Sequence, residues 1–167
     1  HGVEVRPVEV GASEWESTLE EGGERPVLRL GMRQVKGMSE AGAERLMVAR
    51  EQAPFLDVAD LEQRARLGRK DLAVLATAGA LARLAGHRHR ARWEAAGAQG
   101  VGPVFEAASI NRRQFVEGSP LLRTPTEGEN VIADYASLGL TLGRHPLALL
   151  REHLSGCLLY TSPSPRD

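Results

Sequence analysis

The sequence predicts a mainly α-helical protein, in which a small helical domain is preceded by a short β-hairpin and followed by a flexible linker and terminal helices. Three observations predict it. Apolar residues recur at three- and four-residue spacing between Met32 and Ala96, valines cluster in short runs before Gly31, and Gly and Pro become frequent after Gly97 with little periodicity. A chain of 167 residues suffices for one modest core with appended segments.

Val3, Val5, Val8 and Val10 form a partly alternating run that reads as a strand, with Pro7 pointing to an edge. The acidic segment ending at Gly22 and Gly23 reads as a turn, and Val27 to Leu30 as a second strand that can pair with the first. From Gly31 the period changes. Met32 and Val35 suit a short helix stopped by Gly37, and Ser39 is a good N-cap for a helix whose stripe is Ala43, Leu46, Met47 and Arg50, ended by Pro54. Asp57 caps a helix carrying Val58, Leu61 and Ala65, and after Gly68 another carries Leu72, Leu75 and Ala76 before Gly79. Arg88 to Ala96 continues as a further helix with exposed arginines.

Residues 97–128 read as a linker with one helical turn near Ile110 to Phe115. Helical pattern returns over Glu129 to Leu138 and from Pro146, a favourable first-turn proline, to Leu154. The last residues, Cys157 to Asp167, break from that pattern and back-translate to a sequence resembling a transposon-end adapter of sequencing libraries, so 157–167 is set aside as extraneous. The expected segments are therefore 1–30, 31–96, 97–128, 129–156 and 157–167. The start, which lacks Met and reads as mid-strand, points to a piece of a longer chain.

The formal net charge of -1 excludes a globally basic nucleic-acid binder, so any contact with DNA is local. Charge is uneven: Glu14 to Glu24 is acidic, and His87, Arg88, His89, Arg90 and Arg92 form a basic run. A single cysteine excludes disulfides and cysteine-based zinc sites and fits the cytoplasm. No apolar stretch approaches the roughly 20 residues that span a bilayer, so no membrane partner is expected.

The run Met32-x-x-Val35-Lys36-Gly37-Met38-Ser39-x-x-x-Ala43-x-x-Leu46 resembles the helix-hairpin-helix consensus. Each position has a physical reason. Gly37 permits a positive φ, Met38 plugs the space between two helices, and Ala43 is small enough for them to cross closely. Amides at the start of the second helix, with its positive dipole end, make an anion site sized for a backbone phosphate. Ser39 stands where the consensus has its second glycine. No tandem repeat is evident, although a degenerate partner to the hairpin is expected between the helices at Asp57 and Arg69. The DNA-backbone residues expected from this region are Arg33, Lys36, Gly37, Met38, Ser39 and Arg45, with Arg88, Arg90 and Arg92 as additional contacts.

A wider likeness surrounds the motif. Val3-Glu-Val-Arg-Pro-Val-Glu-Val, Ser13-x-Trp15, Leu28-Arg-Leu-Gly-Met-Arg-Gln-Val-Lys-Gly37, Pro54-Phe55 and Ala78-Gly79-Ala80 are similar, in order and spacing, to the C-family bacterial DNA polymerases. The likeness ends with Asp134-Tyr135-x-Ser137-Leu138-Gly139-Leu140-Thr-Leu-Gly-Arg144-His145-Pro146-Leu147, and within that family these motifs most resemble the error-prone branch. The resemblance implies the end of a fingers region, a helix-hairpin-helix domain and the lead into an absent OB domain. It implies primer-template DNA as partner, translesion synthesis as context, Mg2+ in a palm outside this chain and no cofactor within it. Contacts with a sliding clamp and with mutasome accessory proteins would run through the absent parts.

Other constellations are weaker. His87 with His89, and His145 with His153, have no acidic or cysteine partners at metal-ligand spacing. Asp57, Asp60 and Asp71 are better read as caps than as catalytic carboxylates, and Ser13, Ser39 and Ser137 lack a nucleophile's setting. The competing functions are a helical protein-interaction module whose hairpin serves only packing, and a DNA-repair enzyme, which would need a catalytic Asp or Lys after the motif.

Overall fold

The computed structural model describes residues 3–23, 25–98 and 121–154. Three short strands, β1 (Val5–Arg6), β2 (Thr18–Glu20) and β3 (Val27–Arg29), form one sheet in the order β1-β3-β2. β1 and β3 pair as the sequence suggests, but in parallel, with Val5 opposite Leu28. The hairpin is instead β2-β3, with Leu19 opposite Leu28. β2 comes from within the acidic stretch expected to be a turn, and its charge is the reason it pairs. Glu20 accepts hydrogen bonds from Arg29 Nε at 2.7 Å and Arg6 Nη1 at 2.8 Å, so one carboxylate clamps all three strands.

A single 3-10 turn, Met32–Gln34, follows, and seven helices complete the described chain. These are α1 (Glu40–Gln52), α2 (Val58–Ala65), α3 (Arg69–Ala78), α4 (Ala82–Ala85), α5 (Arg88–Ala98), α6 (Glu127–Ser137) and α7 (Pro146–Leu154). The expected caps hold α1 and α2: Ser39 Oγ accepts from Gly42 N–H at 3.0 Å and Asp57 from Asp60 N–H at 2.7 Å. α4 carries too short an apolar pattern to be expected. α6 begins two residues before the expected Glu129, because Thr126 and Glu129 form a reciprocal capping box. The helical turn expected near Ile110 to Phe115 and the tail 157–167 lie outside the described residues.

One apolar core joins α1 to α5 to the 3-10 turn. Met32, Leu46, Leu61, Leu72, Leu75 and Leu81 are wholly buried in it, each stabilising by about 1.5–3 kcal/mol relative to exposure. The buried face of α1 is Gly42, Ala43, Leu46 and Ala49, slightly rotated from the expected stripe. Arg50 turns off that face to donate to the carbonyls of Val10 (3.2 Å) and Ser13 (2.8 Å), tying α1 to the strand region. Arg64 of α2 donates to Ala49 O and Ala53 O at the end of α1 and lies 5.0 Å from the Phe55 ring centroid.

α6 docks on this body through polar contacts. Arg88, at the start of α5, pairs with Asp134 and donates to Asn130 O (3.0 Å), Asn130 Oδ1 (2.9 Å) and Ala78 O (3.2 Å). Among the described residues no helix is long and apolar enough to cross a membrane.

Candidate nucleic-acid interface

Between the 3-10 turn and α1 the chain reverses through Lys36, Gly37 and Met38. Gly37 has φ of 86°, the left-handed region that disfavours a side chain. Met38 is buried in the core, as a plug between two helical segments must be. Ser39 is extended and caps α1. These features fit the turn expected of the motif.

A second turn repeats this geometry 29 positions further along the chain. Between α2 and α3, Arg66 has φ of 47° and is the one non-glycine with positive φ among the described residues. Leu67 is buried where Met38 is buried, and Gly68 is the extended N-cap of α3 where Ser39 caps α1. Leu72 and Leu75 take the places of Ala43 and Leu46. This is the partner expected between the helices at Asp57 and Arg69. Its cationic residues, Arg66, Arg69 and Lys70, were not among the expected contacts. The Leu67-Gly68 pair followed by Leu72 and Leu75 was the available signal, masked by arginine in place of the first glycine.

The two turns are adjacent. A Cβ on Gly37 would lie 3.6 Å from both Lys70 Cε and Val74 Cγ1, so Lys70 flanks the first turn as well as the second. Asp71 joins them directly, accepting from Ser39 N–H at 3.1 Å and from Ser39 Oγ at 2.7 Å. Asp71 is buried, and sequence reading did not find this role, since the partner lies 32 positions away.

This clamp changes the expected anion site. At the first turn the Ser39 amide is satisfied by Asp71 and the Gly42 amide by Ser39 Oγ. The amides of Gly37, Glu40 and Ala41, all on exposed residues, have no protein acceptor among the described residues. At the second turn Gly68 offers no side-chain cap, so the first amides of α3 are open and lie beside Arg66, Arg69 and Lys70. The second turn is the more electropositive of the two, because Glu40 sits in the first turn of α1 and Asp71 faces inward.

The other expected contacts divide. Lys36 is exposed, but its Nζ donates to Tyr135 O at 3.1 Å and its amide to Ser137 O at 2.8 Å, so the end of α6 fixes it beside the first turn. Arg33 is exposed and paired with Glu16 at 2.5 Å. Arg45 donates through Nε to Ala65 O at 3.3 Å, which caps α2. Arg90 pairs with Glu94 at 2.6 Å, whereas Arg92 has no ionic partner among the described residues. Arg88 is held inside the protein. Its guanidinium is largely enclosed by Asp134, Asn130 and Ala78 O, and that network leaves it no open face for DNA.

Carboxylates here serve structure. Asp57 caps α2, Asp60 accepts from Leu56 N–H and pairs with Arg64, and Ser13 Oγ donates to Leu30 O. His87 Nδ1 accepts from Arg90 N–H at the start of α5, and His89 lies against Arg123 O. Among the described residues no group of three or more His, Cys, Asp or Glu is placed to hold a metal ion. Arg123 holds the Glu129 carboxyl at about 2, with help from the Thr126 amide, and Arg144 lowers Glu127 in the same direction.

A helix-hairpin-helix motif family model matches residues 2–91, which span both turns. The chain belongs to the helix-hairpin-helix motif family. Its curated relatives narrow the setting. It is 50% identical over 163 residues to the error-prone DNA polymerase of Alkalilimnicola ehrlichii, covering 97% of this chain and 15% of that protein. It is 48% identical over 173 residues to that of Methylococcus capsulatus (92% and 16%), and 50% identical over 161 residues to that of Azoarcus sp. (93% and 15%). The relatives thus carry the name of the branch that the flanking sequence resembles. The helix-hairpin-helix chain spans about 15% of their length.

Proposed function

We propose that this chain grips duplex DNA by its sugar-phosphate backbone, without reading bases and without chemistry of its own, as part of an error-prone DNA polymerase. The observation that carries the reading is the pair of like turns, Gly37-Met38-Ser39 and Arg66-Leu67-Gly68, set side by side with open helix-start amides and cations. Two such turns on one rigid core engage phosphates at a fixed separation. Amides at a helix start and lysine or arginine side chains favour phosphate oxygens and carry no base information.

The parent protein would be a DNA-directed DNA polymerase working in translesion synthesis and repair, in the cytoplasm, on primer-template DNA. It would use Mg2+ held outside the residues of this chain. Contacts with a sliding clamp and with accessory proteins belong to other parts of that parent.

A packing-only hairpin in a protein-interaction module is the second reading, and Asp71 is the observation that favours it, because a protein carboxylate already fills one amide of the first turn. Binding of the full chain to a labelled duplex, followed by fluorescence anisotropy, separates the two. Gly37→Val together with Lys70→Glu is expected to abolish binding that wild type shows. Unchanged binding by that variant would discard the hairpin as the DNA-gripping element.

A further inference from the structure

α3 and α5 pack against each other along a row of small residues, and their outer edges leave an open trough of about 400 Å³. Its floor is Ala73, Ala76, Thr77 and Ala95, and Arg69 and Arg92 stand along its walls. Among the described residues no acidic side chain lines it.

The charges set this trough apart. On α5, Arg88 is spent on Asp134 and Arg90 on Glu94. Elsewhere Arg6, Arg29, Arg33, Arg64 and Arg83 are each matched to a carboxylate. Arg69 and Arg92 have no ionic partner among the described residues, yet they come from different helices and face one cleft. Cations brought together on a low floor, without a carboxylate between them, raise the local potential for an anion. Arg69 is also the first residue of α3, so the trough begins at the open amides of the second turn.

We propose that this trough is a track for the DNA backbone beyond the second turn, in which Arg69 and Arg92 each engage a phosphate of the same strand. The alanine floor lets the deoxyribose edge approach closely, while longer side chains would hold it off. Thr77 does not compete for the phosphates as a donor, because its hydroxyl is turned back on Ala73 O at 2.8 Å. The inference rests on the backbone-gripping reading above and adds α5 to the footprint.

The test compares full-length wild type, Arg69→Ala, Arg92→Ala and the double variant on one duplex at 50 and 200 mM salt. Arg151→Ala, the same charge change on α7, is the control. Each phosphate contact contributes about 0.9 to the slope of log affinity against log salt. Losing one contact should therefore shrink the affinity ratio between the two salts by about 3.5-fold, and losing both by about 12-fold. Arg151→Ala should leave the ratio unchanged. If Arg92→Ala matches Arg151→Ala while Arg69→Ala weakens binding, the track is overturned and the hairpin reading stands. If wild type binds no duplex at either salt, both fall.

Discussion

Asp71→Ala is the perturbation that best probes how the two turns are held together. The carboxylate is buried and accepts two hydrogen bonds from Ser39, one from its amide and one from its hydroxyl. Hydrogen bonds to a charged group contribute roughly 1.5–3 kcal/mol each, and the Ser39 amide would be left without its acceptor. Asp71 also lies in the first turn of α3, where a negative charge adds about 0.3–1 kcal/mol. Solvent reaching the vacated site offsets part of this sum, so a loss of about 3 kcal/mol is expected. That is a large fraction of the 5–15 kcal/mol typical of a domain and corresponds to a fall in Tm of about 10 °C. Urea unfolding followed by circular dichroism measures it. In a double-mutant cycle with Ser39→Ala, which deletes the hydroxyl bond and keeps the amide bond, about half of the loss should appear as coupling between the two residues. A loss below about 1 kcal/mol, or additive effects, would refute the clamp.

Three further outcomes are expected. Arg66→Gly relieves a left-handed conformation that costs about 1–2 kcal/mol and loses part of that to backbone entropy, so it should stabilise by about 0.5–1 kcal/mol in urea unfolding while weakening duplex binding. Asp134→Asn leaves Arg88 without its counter-charge in a largely enclosed site, so α6 should lose hydrogen-exchange protection while α1 to α3 keep theirs. The carboxyl of Glu129, held at about 2 by Arg123, is ionised in the fold well below the range where an unfolded glutamate takes up its proton. Its contribution is therefore present above about pH 4.5 and lost as pH falls towards 2, so the helicity of α6 should decline over that window and Glu129→Gln should flatten the decline.

Much of this architecture is legible in the residues themselves. Ser39, Asp57, Gly79 and Pro146 mark helix ends through local chemistry, and the structure places α1, α2, α3 and α7 where those signals put them. What escapes reading depends on distant partners. β2 contains one apolar residue, Leu19, and that side chain is exposed, so no periodicity announces a strand whose pairing rests on Glu20 and Arg29. The parallel pairing of β1 with β3 is invisible for the same reason. Arg88 reads as one more cation in a basic run, because Asp134 lies 46 positions away. The second turn is obscured by Arg66, whose backbone adopts glycine's conformation without being glycine.

The most direct measurement of the central claim is the salt and sequence dependence of duplex binding by the full chain. Two turns with their flanking cations should give log affinity falling with log salt at a slope of about -3 or steeper, and duplexes of equal length and unrelated sequence should bind within about twofold of one another. A slope near zero, or a preference for one sequence by tenfold or more, would contradict it.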